Sequence, residues 1–239
     1  MNQIDQFNQF NQRSSEVLRE VYDSCTHSPE PRWQAALALL AVGGLYTALP
    51  PELSHVGPRW LLLSIVAALL IPTVITLHLK KHALNHIFGF LVLGVVTLAE
   101  IWSLYLLLWS LPAHTLTPGH LLRSAGALWL SNVIVFALWY WRLDAGGPHE
   151  RDRIPGHTDG AFLFPQMTLP DDPARAPGTP LWSPHFLDYL FLAWNHSTAF
   201  SPTDVAVLSR WAKVLVMVQS SISFVTVALL AARAINIIK

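Results

Sequence analysis

DYLFLAWNHSTAFSPTD, residues 188–204, is an apolar run that stops too soon. The stretch 186–197 predicts a helix of about 12 residues, or ~18 Å. A bilayer's hydrocarbon core is ~30 Å thick. The polar, Pro-containing turn 198–204 follows, and another apolar run begins at 207. A helix ending inside a bilayer leaves its last carbonyls without partners. That is tolerated only where the next backbone is buried in protein or lines a water-filled cavity. The stretch therefore predicts a re-entrant helix and loop.

The rest of the chain supplies the bilayer that this reading needs. Of 239 residues, 52% are hydrophobic and 13% are charged, against ~25% charged in soluble domains. The class is a polytopic membrane protein whose first partner is the lipid bilayer. Lys+Arg and Asp+Glu balance at 15 each, so nothing points to nucleic acid. The single Cys25 excludes an intrachain disulfide and a multi-Cys zinc site. The polar opening MNQIDQFNQF does not read as a cleavable signal peptide. Trp33, Trp60, Trp109 and Trp141 stand at the ends of apolar runs, where such rings favour the headgroup level.

Within residues 1–30, Ile4, Phe7, Phe10, Leu18 and Val21 recur at helical spacing and predict an amphipathic extramembrane helix. It lies on the protein or senses the membrane surface. The region 31–141 holds four apolar runs: 33–49, 59–79 with Pro72 inside, 84–111, and 121–141. Pro72 removes a helical hydrogen bond and predicts a kink. Residues 142–184 are rich in charge, Pro and Gly and read as an extramembrane loop, functional or mobile. Residues 185–239 carry the short segment, the turn and the last spanning helix, from 207. The expected fold is all-α: a polytopic membrane helical bundle with about five transmembrane helices and a short re-entrant pore-like helix.

The order of short helix, loop and long helix resembles the pore unit of potassium-type ion channels, in which carbonyls after the short helix replace the ion's water. Such pore domains read D-A-L-Y-F-S-F-V-T-L-T-T-V-G-Y-G-D. Without a gap, Asp188, Leu190, Thr198 and Asp204 match. A second resemblance is nearer. A family of uncharacterised bacterial multi-pass membrane proteins, a domain of unknown function, reads D-Y-L-Y-F-A-L-T-I-G-M-T-F-Q-V-S-D. Here Asp188, Tyr189, Leu190, Ala193, Phe200 and Asp204 match, while that family's Gly and Thr fall on Ser197 and Ala199. Trp139-Tyr-Trp141, Gly146-Gly147 and Phe164-Pro165 are similar too. This resemblance implies a multi-pass protein of the bacterial inner membrane and brings no known activity.

The channel resemblance implies that Thr198, Ala199, Phe200, Ser201, Pro202, Thr203 and Asp204 are filter-like, and that Asp188, Asn195 and His196 belong to the pore helix. One such segment per chain needs four copies to close a ring, so it also implies a homotetramer. The filter's two glycines fall on Ser201 and Thr203, and its Tyr on Pro202. Thr at positive φ is an outlier, and Pro202 restricts both itself and Ser201. A potassium-selective filter is not expected. A passage for a cation or small solute is, with a non-conducting scaffold or sensor as the alternative.

Glu100 falls near the middle of the third run. A carboxylate at that depth is costly and marks a functional hypothesis, a proton-coupled transporter or membrane enzyme. The alternative is a packing role against Ser131, Asn132 or Tyr105. Asn195 and His196 either face a lumen or satisfy the end of the short helix. His78, His82 and His86 would align on one helix, but Lys80-Lys81 predicts a turn between them, and a metal role is not expected. No G-x-S-x-G, phosphate loop or paired-carboxylate motif occurs. Neither an enzyme nor a cofactor is expected.

Orientation divides the two lines of argument. With the N-terminus inside, Arg13, Arg19, Arg32, Lys80, Lys81, Arg142, Arg151, Arg153, Arg175, Arg210 and Lys213 lie inside, and Arg59, Arg123, Arg233 and Lys239 outside. The excess of positive charge favours that orientation. It makes the re-entrant turn enter from the cytoplasm, whereas channel pore loops enter from outside.

Overall fold

A computed structural model describes residues 30–53, 58, 60–79, 81–113, 117–153, 160–169, 182–199 and 204–238. The predicted helix within 1–30 and the residues Phe200 to Thr203 lie outside the described residues. The helices are α1 (Trp33–Thr47), α2 (Leu61–His78), α3 (His82–Ala113), α4 (Pro118–Leu143), α5 (Pro148–Arg153), α6 (Phe186–Thr198) and α7 (Arg210–Ile238). Two short strands, β1 (Phe162–Leu163) and β2 (Ala206–Val207), pair antiparallel with Phe162 opposite Val207. The chain is an all-α helical bundle embedded in a membrane.

Among the described residues four helices, α2, α3, α4 and α7, are long and apolar enough to cross a bilayer, and α1 is a shorter apolar helix. Helix α1 has 15 residues, or ~22 Å against the ~30 Å of hydrocarbon. It ends early because the chain turns inward at Pro50-Pro51. Leu49 and Leu53 are then buried against Leu107, Leu121 and Leu128. The Ser103 hydroxyl donates to the Leu53 carbonyl at 3.1 Å and, its one hydrogen so used, accepts from the Tyr46 hydroxyl at 2.9 Å.

Helix α4 is the centre of the bundle and packs against α1, α3, α6 and α7. Of its apolar span 61% is buried, against 17% in α2 and in α7. Thr117 caps its start by accepting the His120 N–H, with Pro118 in the first turn, where its missing N–H costs nothing. Val133, Phe136, Ala137 and Tyr140 line its buried face. Its seam with α7 includes polar bonds, from Asn132 and Tyr140 on one side to Gln219 and Ser223 on the other. Lipid tails are as apolar as leucine, so close packing and interhelical hydrogen bonds replace the hydrophobic drive. Helix α2 runs through Pro72 as one helix. The Asn85 amide of α3 donates to the Thr73 carbonyl at 2.7 Å, tying the two helices beside the proline. The break expected at Lys80-Lys81 is present, since α2 ends at His78 and α3 starts at His82.

The described residues of 142–184 include regular structure. Helix α4 runs to Leu143, a tight turn covers Asp144–Gly146, and α5 follows. Ala145, Gly146 and Gly147 have φ of 48°, 78° and 94°. Three consecutive left-handed residues reverse the chain, and glycine supplies that conformation without steric cost. A Cβ at Gly147 would stand 2.9 Å from the Arg142 carbonyl.

Candidate functional site

The re-entrant geometry follows from what α6 touches at each end. Near its start, the Tyr189 hydroxyl donates to Asp144 Oδ2 at 2.6 Å, at the C-terminal end of α4. Near its end, the Trp194 ring meets Trp129 edge to face at 5.2 Å between centroids. Trp129 lies about 15 residues back along α4, a depth of ~22 Å. The chain then returns. Ala206–Val207 pairs with Phe162–Leu163, and the neighbouring Ala161 N–H donates to Asp144 Oδ1 at 2.5 Å. Entry and exit share one end of the bundle.

A buried polar clasp holds that end. Arg151 donates to the Trp141 and Asp144 carbonyls at 2.8 and 2.9 Å and so caps the last turn of α4. Its other terminal nitrogen meets Glu30 Oε2 at 3.0 Å. The second Glu30 oxygen accepts the Trp141 indole N–H at 2.6 Å. The Arg151 guanidinium also lies 5.1 Å from the centroid of the Tyr189 ring. One cation thus joins the segment before α1, the end of α4 and the start of α6. Charge this deeply buried is tolerated because each partner is hydrogen-bonded.

The deep end of α6 is held by α7. Gln219, fully buried, donates to the Ala193 carbonyl at 2.8 Å and to Ser197 Oγ at 2.9 Å. Its side-chain oxygen accepts the Tyr140 hydroxyl at 2.5 Å. Ser220 donates to the His196 carbonyl at 3.3 Å. Asn132 donates to the Gln219 carbonyl at 3.2 Å and to Ser223 Oγ at 2.7 Å. Of the carbonyls at the end of this interrupted helix, that of His196 is met by a side chain of the next helix.

The expected site residues divide between the two faces of α6. Asp188 accepts the His185 backbone N–H at 2.7 Å and so caps the start of the helix. His196 is buried, with Nδ1 2.8 Å from the Leu192 carbonyl. A carbonyl only accepts, so that nitrogen carries the proton. Asn195 is half-buried, and its carbonyl accepts the Ala199 N–H. Thr198, Ala199 and Asp204 are exposed, as are Leu187, Phe191 and Trp194 on the same helix. Gln219, Ser220, Tyr140, Asp144, Arg151 and Glu30 were not foreseen. The polar run Gln219-Ser-Ser-Ile-Ser223 inside an apolar helix was the available signal.

Glu100 lies apart from this region, on the buried stripe of α3 with Val96, Ser103 and Leu107. It is 5% exposed, and its Oε1 has no hydrogen-bond partner among the described residues. The anticipated bonds to Ser131, Asn132 or Tyr105 are not formed. Asn132 turns to α7 instead, and Tyr105 is exposed. The described residues include no cluster of His, Cys, Asp and Glu suited to a metal ion.

Compared with models of protein families, with curated proteins and with solved structures, the chain finds no match.

Proposed function

We propose that this chain is a multi-pass protein of a bacterial inner membrane whose re-entrant hairpin lines a passage for a cation or small solute, formed between four copies. One observation carries the reading. The outer face of α6 and its end at Thr198 and Ala199 are exposed on the single chain, while the polar side chains behind it are bonded to one another. A passage along α6 must then lie between chains rather than within one. Selectivity for potassium is not part of the proposal, because Ser201-Pro202-Thr203 stands where the filter glycines would be needed.

Purified protein in liposomes tests it. The expected result is cation or small-solute flux above protein-free vesicles, from a detergent-solubilised particle of four chains. A monomeric particle without flux would overturn it and favour a non-conducting scaffold or sensor, which the sealed Tyr140–Gln219–Ser197 network also supports. A second reading, a proton-coupled transporter or membrane enzyme, rests on Glu100 and its unpartnered oxygen. Full activity of Glu100→Gln in a pH-gradient-driven uptake assay, with assembly intact, would remove it.

A further inference from the structure

A cleft of about 260 Å³ lies at the clasp end of the bundle, among Arg32, His82, His86, Arg142, His149 and Glu150. It adjoins an apolar cavity of about 80 Å³. Arg32, Asn85, Arg142 and Pro148 line both. The apolar walls come from α1 (Ala36, Leu39), α2 (Leu70, Val74) and α3 (Val92, Leu93). Val74 is exposed, so this wall is reached from outside the chain. A cationic mouth above a narrow apolar shaft, at the charged end of a membrane bundle, matches the layering of one lipid leaflet.

Arg142 is the decisive side chain. It is 8% exposed and donates to the Asn85 and His86 carbonyls at 2.8 and 3.0 Å. Its guanidinium stands 5.3 Å from the Phe90 centroid. Its Nε remains buried without a hydrogen-bond partner among the described residues. Position 89 is glycine, and a Cβ there would collide with the Arg142 guanidinium. The helix is thus cut away to admit this cation, and two carbonyls orient it without neutralising its charge. Arg32, which pairs with Asp152 at 3.0 Å, adds a second guanidinium. The rings of His82 and His149 stack at 3.5 Å on the same wall. Glu150 also faces the cleft, which disfavours a multiply charged headgroup.

We infer that this site binds a phospholipid with a singly charged anionic headgroup, the phosphodiester between Arg32 and Arg142 and the first few methylenes of one acyl chain in the shaft. Guanidinium forks suit phosphate oxygens, and basic pockets at the ends of membrane helices take anionic headgroups. The inference is independent of whether the hairpin conducts.

The test uses the full chain in phosphatidylcholine vesicles containing spin-labelled phosphatidylglycerol or spin-labelled phosphatidylcholine. The immobilised fraction is measured with and without free glycerol phosphate. Expected is roughly tenfold preference for phosphatidylglycerol, the factor that ~1.4 kcal/mol commands. Arg32→Gln should lower it several-fold, and Ala36→Trp, which fills the shaft, should abolish it. Val74→Trp, on the exposed wall, gives the same test without disturbing the buried packing. Equal immobilisation of the two lipids would overturn the proposal. So would preference unchanged in both Trp variants. Competition by glycerol phosphate as strong as by the lipid would instead make this a site for a soluble anion, and overturn it as well.

Discussion

Replacing Gln219 by Leu keeps the approximate volume of the side chain and removes its hydrogen bonds. Three are lost: to the Ala193 carbonyl, to Ser197 Oγ and from the Tyr140 hydroxyl. Interhelical bonds in membranes average ~0.6 kcal/mol each, so the bonds amount to about 2 kcal/mol. Tyr140 is fully buried, and stranding its hydroxyl raises the expected loss to about 3 kcal/mol. The unfolded fraction then rises roughly a hundredfold. The matching variant Tyr140→Phe removes the stranded group, so the double variant Tyr140→Phe/Gln219→Leu should recover ~1 kcal/mol relative to the sum of the singles. Unfolding by sodium dodecyl sulfate in mixed micelles, followed by circular dichroism, measures all three. Limited proteolysis should also show the 186–204 region opening first in Gln219→Leu. A loss below about 0.5 kcal/mol, or strict additivity in the cycle, would refute the claim that Gln219 clamps the re-entrant helix.

The clasp gives a second expectation. Arg151→Met leaves the Glu30 carboxylate buried without its cation, at a cost of about 3–5 kcal/mol, while Arg151→Met/Glu30→Leu should be clearly more stable than Arg151→Met. The same mixed-micelle titration decides it, and a double variant no better than the single would count against the pair. Gly147→Ala combines φ of 94° with a 2.9 Å approach to the Arg142 carbonyl, so a loss of about 1–2 kcal/mol is expected in thermal unfolding. Gly44→Ala is the control: it lies within α1 with no atom within 4 Å of its added Cβ, so stability should hold or rise by up to ~1 kcal/mol.

The helices were legible because hydrocarbon thickness sets a length scale that apolar runs either meet or miss. The runs containing Leu61, Phe90, Phe136 and Val216 all lie in helices long enough to span. Trp33–Thr47 is apolar along its length, but composition reports hydrophobicity, not where the chain turns inward at Leu49 and Leu53. The short helix was legible for the same reason of length. The pairing of β1 with β2 and the sharing of Asp144 by Tyr189 and Ala161 were not, since Tyr189 and Ala161 are 45 and 17 residues away from Asp144.

Asp188 and His196 show where the candidate site escaped the sequence. Their residue types invite a pore reading. In the fold, Asp188 caps its own helix and His196 bonds the preceding turn. On α7, Ser220 meets the His196 carbonyl at the helix end, and Gln219 bonds the Ala193 carbonyl one turn earlier. Amino-acid order alone determined a membrane-embedded helical protein with one helix too short to cross, because length and hydropathy are local properties. Which side chains meet the Ala193 and His196 carbonyls, and which cations gather at the clasp and the cleft, only the tertiary structure decided. Those partners lie on different helices, and only packing brings them within the ~3 Å at which a hydrogen bond forms.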